Sequence, residues 1–248
     1  MLLRLDHLVI AVTDPDAAAA ELERRVGLAC TGGGRHPLWG TYNRLAWFGD
    51  TYAELIGIFD PALTANGAVS RAVAAALDAG RQGLVAYALA TDDLTIDLAR
   101  LRAGGSSLGE IEARSRTRPD GEVVRWWAAF PAELGPATPP FVVQHELVGA
   151  EWGPDARAAK ARFEHPAGGV ARVTALTLPV PDVRAAAHAY TRTLGVGFEG
   201  DPPVVLIGDQ RIRLTPGSPL IEPAIVDLRL GSGRHVDATA LGVRWRAA

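Results

Sequence analysis

A ten-residue pattern recurs along this chain and constrains its fold more than any other feature. Leu5-Asp-His-Leu-Val-Ile-Ala-Val-Thr-Asp14 returns in type as Leu84-Val-Ala-Tyr-Ala-Leu-Ala-Thr-Asp-Asp93, and again as the stretch from Ala171 to Asp182. Each copy is an apolar strand that stops at an aspartate and restarts as a helix, and internal repeats of this kind decide architecture before any local motif does. In the first copy His7, Val9 and Ala11 share one face and Leu8, Ile10 and Val12 the other, so the strand is apolar on both sides and its histidine is enclosed.

The repeat extends downstream of each copy. Asp14 can cap a helix over 15–26, Pro15 suits its first position, and Gly27 its end. A short strand at 28–31, three glycines at 32–34, a strand from Thr41 to Phe48, a turn at Gly49-Asp50 and a strand over 51–59 complete a β-α-β-β-β unit. An Ala-rich helix over 67–79 reads as a linker. The second copy continues with a helix from Leu94 to Leu101, strands around 108–116 and 122–130 joined at Pro119-Asp120-Gly121, and a strand over 140–148. The third has a helix over 183–194 closed by Gly195, strands at 203–208 and 210–215, and a weaker one at 224–230. The expected class is therefore α+β. Residues 1–150 form one domain from modules 1–62 and 83–148, residues 151–169 a Gly/Pro-containing linker, and residues 170–248 a degenerate third module. His165 and His235 fall in loop-like sequence and are expected in solvent.

Composition narrows the partners. The 248 residues carry a formal net charge of −3, and no Lys/Arg run is long enough for a phosphate-binding face, which argues against nucleic acid and anionic membranes. The lone Cys30 excludes an internal disulfide and any Cys-rich zinc module. No window approaches the ~18 apolar residues of a membrane span, so a cytoplasmic protein acting on small molecules is expected.

The Asp-His-Leu-Val-Ile-Ala-Val strand, the repeated units, and the string Gly33-Gly-Arg-His-x-x-x-Gly-Thr-x-Asn43 ahead of a strand bearing Glu54 together resemble the vicinal oxygen chelate superfamily, in particular its glyoxalase-like proteins. The resemblance covers 1–150 well and 168–216 faintly. It implies two modules paired edge to edge, their eight strands curling into an incomplete barrel around a divalent metal such as Zn²⁺, Mn²⁺, Fe²⁺, Ni²⁺ or Mg²⁺. By the same resemblance the first and fourth strands of each module supply the ligands, which gives His7 and Glu54 in the first. The second module departs from the pattern. Val85 and Ala86 cannot bind metal, and Phe141-Val-Val-Gln-His-Glu146 offers Gln144, weighted first, with Glu146 on the same face and His145 on the other.

The residues around the three glycines suggest the rest of a site. Arg35 can grip a carboxylate or phosphate with two donors, Thr41 and Asn43 add neutral hydrogen bonds on one strand face, Trp39 gives an aromatic wall, and His36, like Glu54, is a candidate catalytic base. Adjacent Trp126 and Trp127 must point to opposite faces of their strand. The expected activity is that of a metal-dependent lyase, isomerase or dioxygenase working on a small oxygen-rich or anionic molecule, with a homodimer as a further expectation. The alternative is a metal-free protein that sequesters a small molecule in the same cavity.

Overall fold

Strand β1 (Arg4–Ala11) is buried along nearly its whole length, as its two apolar faces require. In the computed structural model, which describes residues 1–247, it is followed by helix α1 (Pro15–Val26). The Asp14 carboxylate accepts the N–H groups of Asp16 and Ala17, at 2.8 and 3.2 Å, satisfying two of the donors that a helix start leaves free. Gly27 ends the helix at φ 77°, and a side chain there would strike the backbone of Ala167 at 2.8 Å.

Strands β2 (Gly33–His36), β3 (Thr41–Phe48) and β4 (Thr51–Ile58) form an antiparallel meander. The strand expected at 28–31 does not form. Thr31 instead lends its carbonyl to the Trp47 indole at 2.9 Å, and Ala29 its N–H to His165 at 3.1 Å. A 3₁₀ turn over Pro61–Asn66 leads into α2 (Ala68–Asp78). The sequence then runs through β5 (Gly83–Ala90), α3 (Leu94–Ala103), β6 (Glu112–Thr117), β7 (Val123–Ala129) and β8 (Phe141–His145).

These eight strands make a closed barrel in the order β1-β4-β3-β2-β6-β7-β8-β5. The incomplete barrel expected from the sequence is thus corrected. One seam is the long antiparallel β1–β5 ladder; the other is a single register pair, Arg35 with Thr117, between β2 and β6, and that one pair completes the ring. Within each half the first strand lies parallel to the fourth, β1 to β4 and β5 to β8.

Residues 149–165 are more than a linker. They form α4 (Gly149–Trp152), α5 (Pro154–Ala161) and the short β9 (Glu164–His165), and they pack beneath one side of the barrel. His165, expected in solvent, is 3 % exposed. Its Nε2 donates to the Trp47 carbonyl at 2.7 Å while Nδ1 accepts from Ala29, so both ring nitrogens are used.

The remaining chain forms β10 (Gly169–Val180), α6 (Val183–Leu194), β11 (Val204–Ile207), β12 (Gln210–Pro216), β13 (Ala224–Leu230), β14 (Val236–Ala240) and β15 (Val243–Ala247). They assemble in the order β11-β12-β10-β13-β15-β14, with β9 against β10. The pairing repeats that of the barrel: β10 lies parallel to β12 as β1 does to β4, antiparallel to β13 as β1 does to β5, and β13 lies parallel to β15. The last third of the chain therefore holds two abbreviated units, the second without a helix, and the tail after Gly231 is ordered as strands. One apolar core joins the barrel to this sheet, running from Leu8, Ile10 and Leu22 to Leu176, Leu214 and Trp245. Each such side chain contributes about 1.5–3 kcal/mol on leaving water. Polar ties cross the same seam, among them the Leu5 N–H to Gln210 at 2.7 Å and the Tyr87 hydroxyl to that of Tyr190 at 2.8 Å. No helix among the described residues is long and apolar enough to cross a membrane.

Candidate functional site

Strand alternation decides which side chains enter the barrel. On β3 it places Thr41, Asn43 and Leu45 inside, on β4 Tyr52, Glu54 and Ile56, and on β8 Phe141 and His145. These residues line a cavity whose space free of atoms is about 680 Å³, open solvent at its mouth included. Ser70 and Val69 of α2 and Glu151 and Trp152 of α4 close its ends.

Glu54 is the centre of the arrangement. It is 8 % exposed, and its Oε1 accepts the Asn43 amide at 2.6 Å. Asn43 is itself fixed, because its Oδ1 accepts the Gly34 N–H at 2.8 Å. Two imidazoles flank the carboxylate: His7 Nε2 lies 3.9 Å from Oε2 and His36 Nε2 lies 4.0 Å from Oε1. No arginine or lysine among the described residues forms an ion pair with Glu54. Leaving a carboxylate buried without a permanent cation is costly, and such groups gather where chemistry is done.

Both histidines are held from behind. His36 Nδ1 lies 2.9 Å from the Thr41 hydroxyl. Burial pushes its pKa down to about 4; the Glu54 charge opposes the shift, and the Arg116 and Arg114 charges add to it. His36 is therefore neutral at ordinary pH. His7 Nδ1 lies 2.7 Å from Asp6 Oδ1, and the ring stacks on Tyr52 with centroids 4.7 Å apart. A register shift in the β1–β5 ladder between Leu5 and His7 lets two consecutive residues serve one cluster. The same Asp6 oxygen lies 2.9 Å from His145 Nε2. Burial alone would raise the Asp6 pKa, but the charges and hydrogen bonds of His145 and His7 outweigh it and hold this carboxyl far below the usual range. Asp6 Oδ2 and His145 Nδ1 have no hydrogen-bond partner among the described residues.

The second half contributes two arginines from β6. Arg116 is closed off by Glu151, both of whose oxygens accept from Nη2 at 2.5 Å, and by the Gly33 carbonyl, which accepts from Nη1 at 3.0 Å. Arg114 stacks its guanidinium against Trp39 and Phe130, 4.5 and 4.8 Å to the ring centroids, and among the described residues forms an ion pair only with the half-exposed Glu112. Trp126 lines the cavity while its neighbour Trp127 packs against the main core, as adjacent strand positions require.

Within this frame the profile of the glyoxalase-like domain matches residues 5–194. The chain belongs to the glyoxalase-like domain family. No curated protein sequence matches it significantly. A hypothetical protein from Staphylococcus aureus shares the fold over 98 % of both chains, with a TM-score of 0.76 at 14 % identity. Two methylmalonyl-CoA epimerases are more distantly similar. That of Mycobacterium tuberculosis has a TM-score of 0.41 at 20 % identity over 56 % of this chain and 86 % of its own. That of Streptomyces coelicolor has 0.44 at 21 % over 60 % and 98 %.

Of the residues singled out in this glyoxalase-like sequence, His7, His36, Trp39, Thr41, Asn43 and Glu54 come together at the cavity. Arg35 and Gln144 do not. Arg35 alternates outward from His36 and lays its guanidinium over the exposed Phe59 ring at 4.0 Å. Gln144 points away from the cavity and uses its carbonyl to cap α3, accepting the Leu94 N–H at 2.9 Å; on that strand it is His145 that faces inward. Asp6, Tyr52, Arg114, Arg116, Glu151 and Trp152 were missed. Arg114 and Arg116 carried a signal, since they stand two apart on one strand face, whereas Glu151 and Trp152 lay in a segment that read as a linker.

The family's divalent ion can be tested against these donors. His7 and Glu54 are of the right type, and each has the hydrogen-bonded support that orients a metal ligand. In number they fall short. β5 adds no residue to the cavity lining, Gln144 is engaged elsewhere, His145 spends Nε2 on Asp6, and His36 lies at the other Glu54 oxygen from His7. Among the described residues no group of three or more His, Cys, Asp and Glu side chains is placed to hold a metal, whereas protein sites for zinc take three or four protein ligands. The residues do not fit a tightly held resident ion.

Proposed function

We propose that this glyoxalase-like protein is an enzyme that moves a proton on a small carbonyl compound held in the barrel cavity, an isomerase- or lyase-type reaction. One observation carries the reading: Glu54 is buried, positioned by Asn43, flanked by two imidazoles, and without an arginine or lysine partner among the described residues. Its carboxylate is the base that takes a proton from the carbon next to the substrate carbonyl.

Removing that proton places negative charge on the carbonyl oxygen, so the site needs a donor aimed there. His36 supplies it. Kept neutral by burial, the ring is assigned the tautomer in which Nδ1 accepts from the Thr41 hydroxyl 2.9 Å away, which puts its proton on Nε2, 4.0 Å from Glu54. A neutral imidazole donates a hydrogen bond to the enolate without forming an ion pair that would quench the Glu54 base. His7, oriented by Asp6, lies at the other Glu54 oxygen and returns or relays the proton. The aromatic walls exclude water, which strengthens each of these interactions.

A metal-assisted version is a second reading, favoured by the Asp6–His7 bond, which orients the ring as the outer carboxylate of a metal site does. With two protein donors, such an ion would be held only weakly.

The test is deuterium incorporation from D₂O into phenylpyruvate and pyruvate, followed by proton NMR above the uncatalysed background. Wild type is expected to accelerate exchange. Glu54→Gln, which keeps the shape and the Asn43 contact region, is expected to lose at least a hundredfold, within the ~10²–10⁴ range for a positioned base. Exchange unaffected by Glu54→Gln would overturn the assignment, and an unaccelerated background with tight ligand binding would favour sequestration.

A further inference from the structure

The cavity has two chemically different ends, and we infer that its ligand is a flat, apolar monocarboxylate whose carboxylate is gripped by Arg114. The inference rests on the cavity being the reaction site, and it names the substrate class that site takes. Arg114 is 9 % exposed and Arg116 5 %, so β6 drives two guanidinium groups into the barrel wall. They are not equivalent. Both oxygens of Glu151 and the Gly33 carbonyl occupy Arg116, which makes it a strut of the wall.

Arg114 is held by its faces instead. Trp39 and Phe130 lie against the guanidinium, and ring contacts of this kind fix the plane of the group while leaving its N–H edge free to donate. Its one ionic partner among the described residues, Glu112, has a side chain 49 % exposed, so solvent competes for that carboxylate and weakens the pair. A ligand carboxylate inside the cavity meets no such competition and can match the guanidinium edge with two parallel hydrogen bonds.

Charge fixes the orientation. His36 Nε2 lies 4.0 Å from Glu54, and the ring feels the opposing charges of Glu54 and of the two arginines. A ligand anion is repelled from Glu54 and drawn to Arg114, which leaves the body of the molecule lying along the Trp39, Trp126 and Phe130 rings and its reacting carbon toward Glu54. The walls decide the body: Tyr52, Phe141 and Trp152 complete an aromatic lining that favours a flat ring over a hydrated sugar-like chain.

Binding of cinnamate and of its neutral isostere cinnamamide, followed by quenching of tryptophan fluorescence and by calorimetry, tests this without any knowledge of the reaction. Wild type is expected to bind cinnamate at least tenfold more tightly than cinnamamide. Arg114→Met, shown to be folded by circular dichroism, is expected to abolish that preference, and Arg114→Lys to restore part of it. The exposed Arg125→Gln should leave it unchanged. Equal binding of acid and amide by wild type, binding of neither, or an undiminished preference in Arg114→Met would overturn the inference. The wild-type comparison stands even if the Arg114 variants fail to fold. Glu54→Gln separates the two proposals: it should lose proton exchange yet bind cinnamate as well as wild type or better, since a like charge is removed.

Discussion

The hydroxyl chain that ties the barrel to the second sheet gives a quantitative prediction with an unequal outcome. Tyr87 on β5 and Tyr190 on α6 are both fully buried. The Tyr87 hydroxyl donates to Tyr190 at 2.8 Å, and the Tyr190 hydroxyl donates onward to the Thr138 carbonyl at 3.1 Å. Tyr87→Phe removes one neutral hydrogen bond and strands no donor, because Tyr190 still has Thr138; a loss of about 1 kcal/mol is expected. Tyr190→Phe leaves the buried Tyr87 hydroxyl and the half-buried Thr138 carbonyl without these partners. At about 1–3 kcal/mol for each stranded group the loss is roughly 2–6 kcal/mol. The double variant strands only Thr138, so it should be more stable than Tyr190→Phe alone. Urea unfolding followed by circular dichroism measures all three, with the far-UV and tryptophan signals compared to show whether the two halves unfold together. A Tyr87→Phe loss equal to that of Tyr190→Phe, or strict additivity in the double variant, would refute the reasoning.

The His36 pKa gives a pH prediction. At about 4 in the folded protein against ~6.5 unfolded, the unfolded chain binds a proton between those values that the folded one refuses. Stability must therefore fall as pH drops from ~6.5 to ~4, by up to about 3 kcal/mol from this residue. A His36→Gln variant should show a shallower loss in denaturant titrations over that window, and an unchanged slope would sink the assignment. Glu151→Gln should be among the most damaging single changes at the cavity wall, since it leaves the Arg116 charge buried and unpaired at a cost of about 3–5 kcal/mol. Adding Arg116→Met should recover part of the loss in thermal melts; a further drop would show that the pair does not act as a unit.

The repeats and their caps were readable because each depends on residues close in sequence. Asp14, Asp93 and Asp182 precede helices and accept their first N–H groups, and Gly27 and Gly195 end theirs at positive φ. Half of the site was readable for the same reason: His36, Thr41 and Asn43 alternate within one hairpin that folds onto the strand of Glu54. What escaped depends on contacts between distant segments. Arg116 acquires its meaning from Glu151, 35 residues on, and Asp6 from His145, 139 residues on. Closure of the barrel escaped for a related reason, since the β2–β6 seam is one register pair and leaves no periodic trace.

The second sheet explains why the proposed chemistry is confined to the first half. Its strands repeat the pairing of the barrel, β10 standing to β12 and β13 as β1 stands to β4 and β5. It does not close, however: β11 and β14 remain edges, and the face that corresponds to a barrel interior carries Arg213, Arg244, Arg246, Asp227 and Asp237 in ion pairs reached by solvent. Charges in water are screened, and exposed pairs of this kind are worth at most about 1 kcal/mol each, so this face cannot hold a carboxylate in the costly, unpaired state of Glu54. The opposite, apolar face earns its place by covering the barrel, with α1 packed against β14 and Gln210 bonded to both Leu5 and Thr51. Gln210 thereby fixes the residue before Asp6 and the strand of Glu54, and the sheet without a site of its own holds in register the two strands on which the proposed site depends.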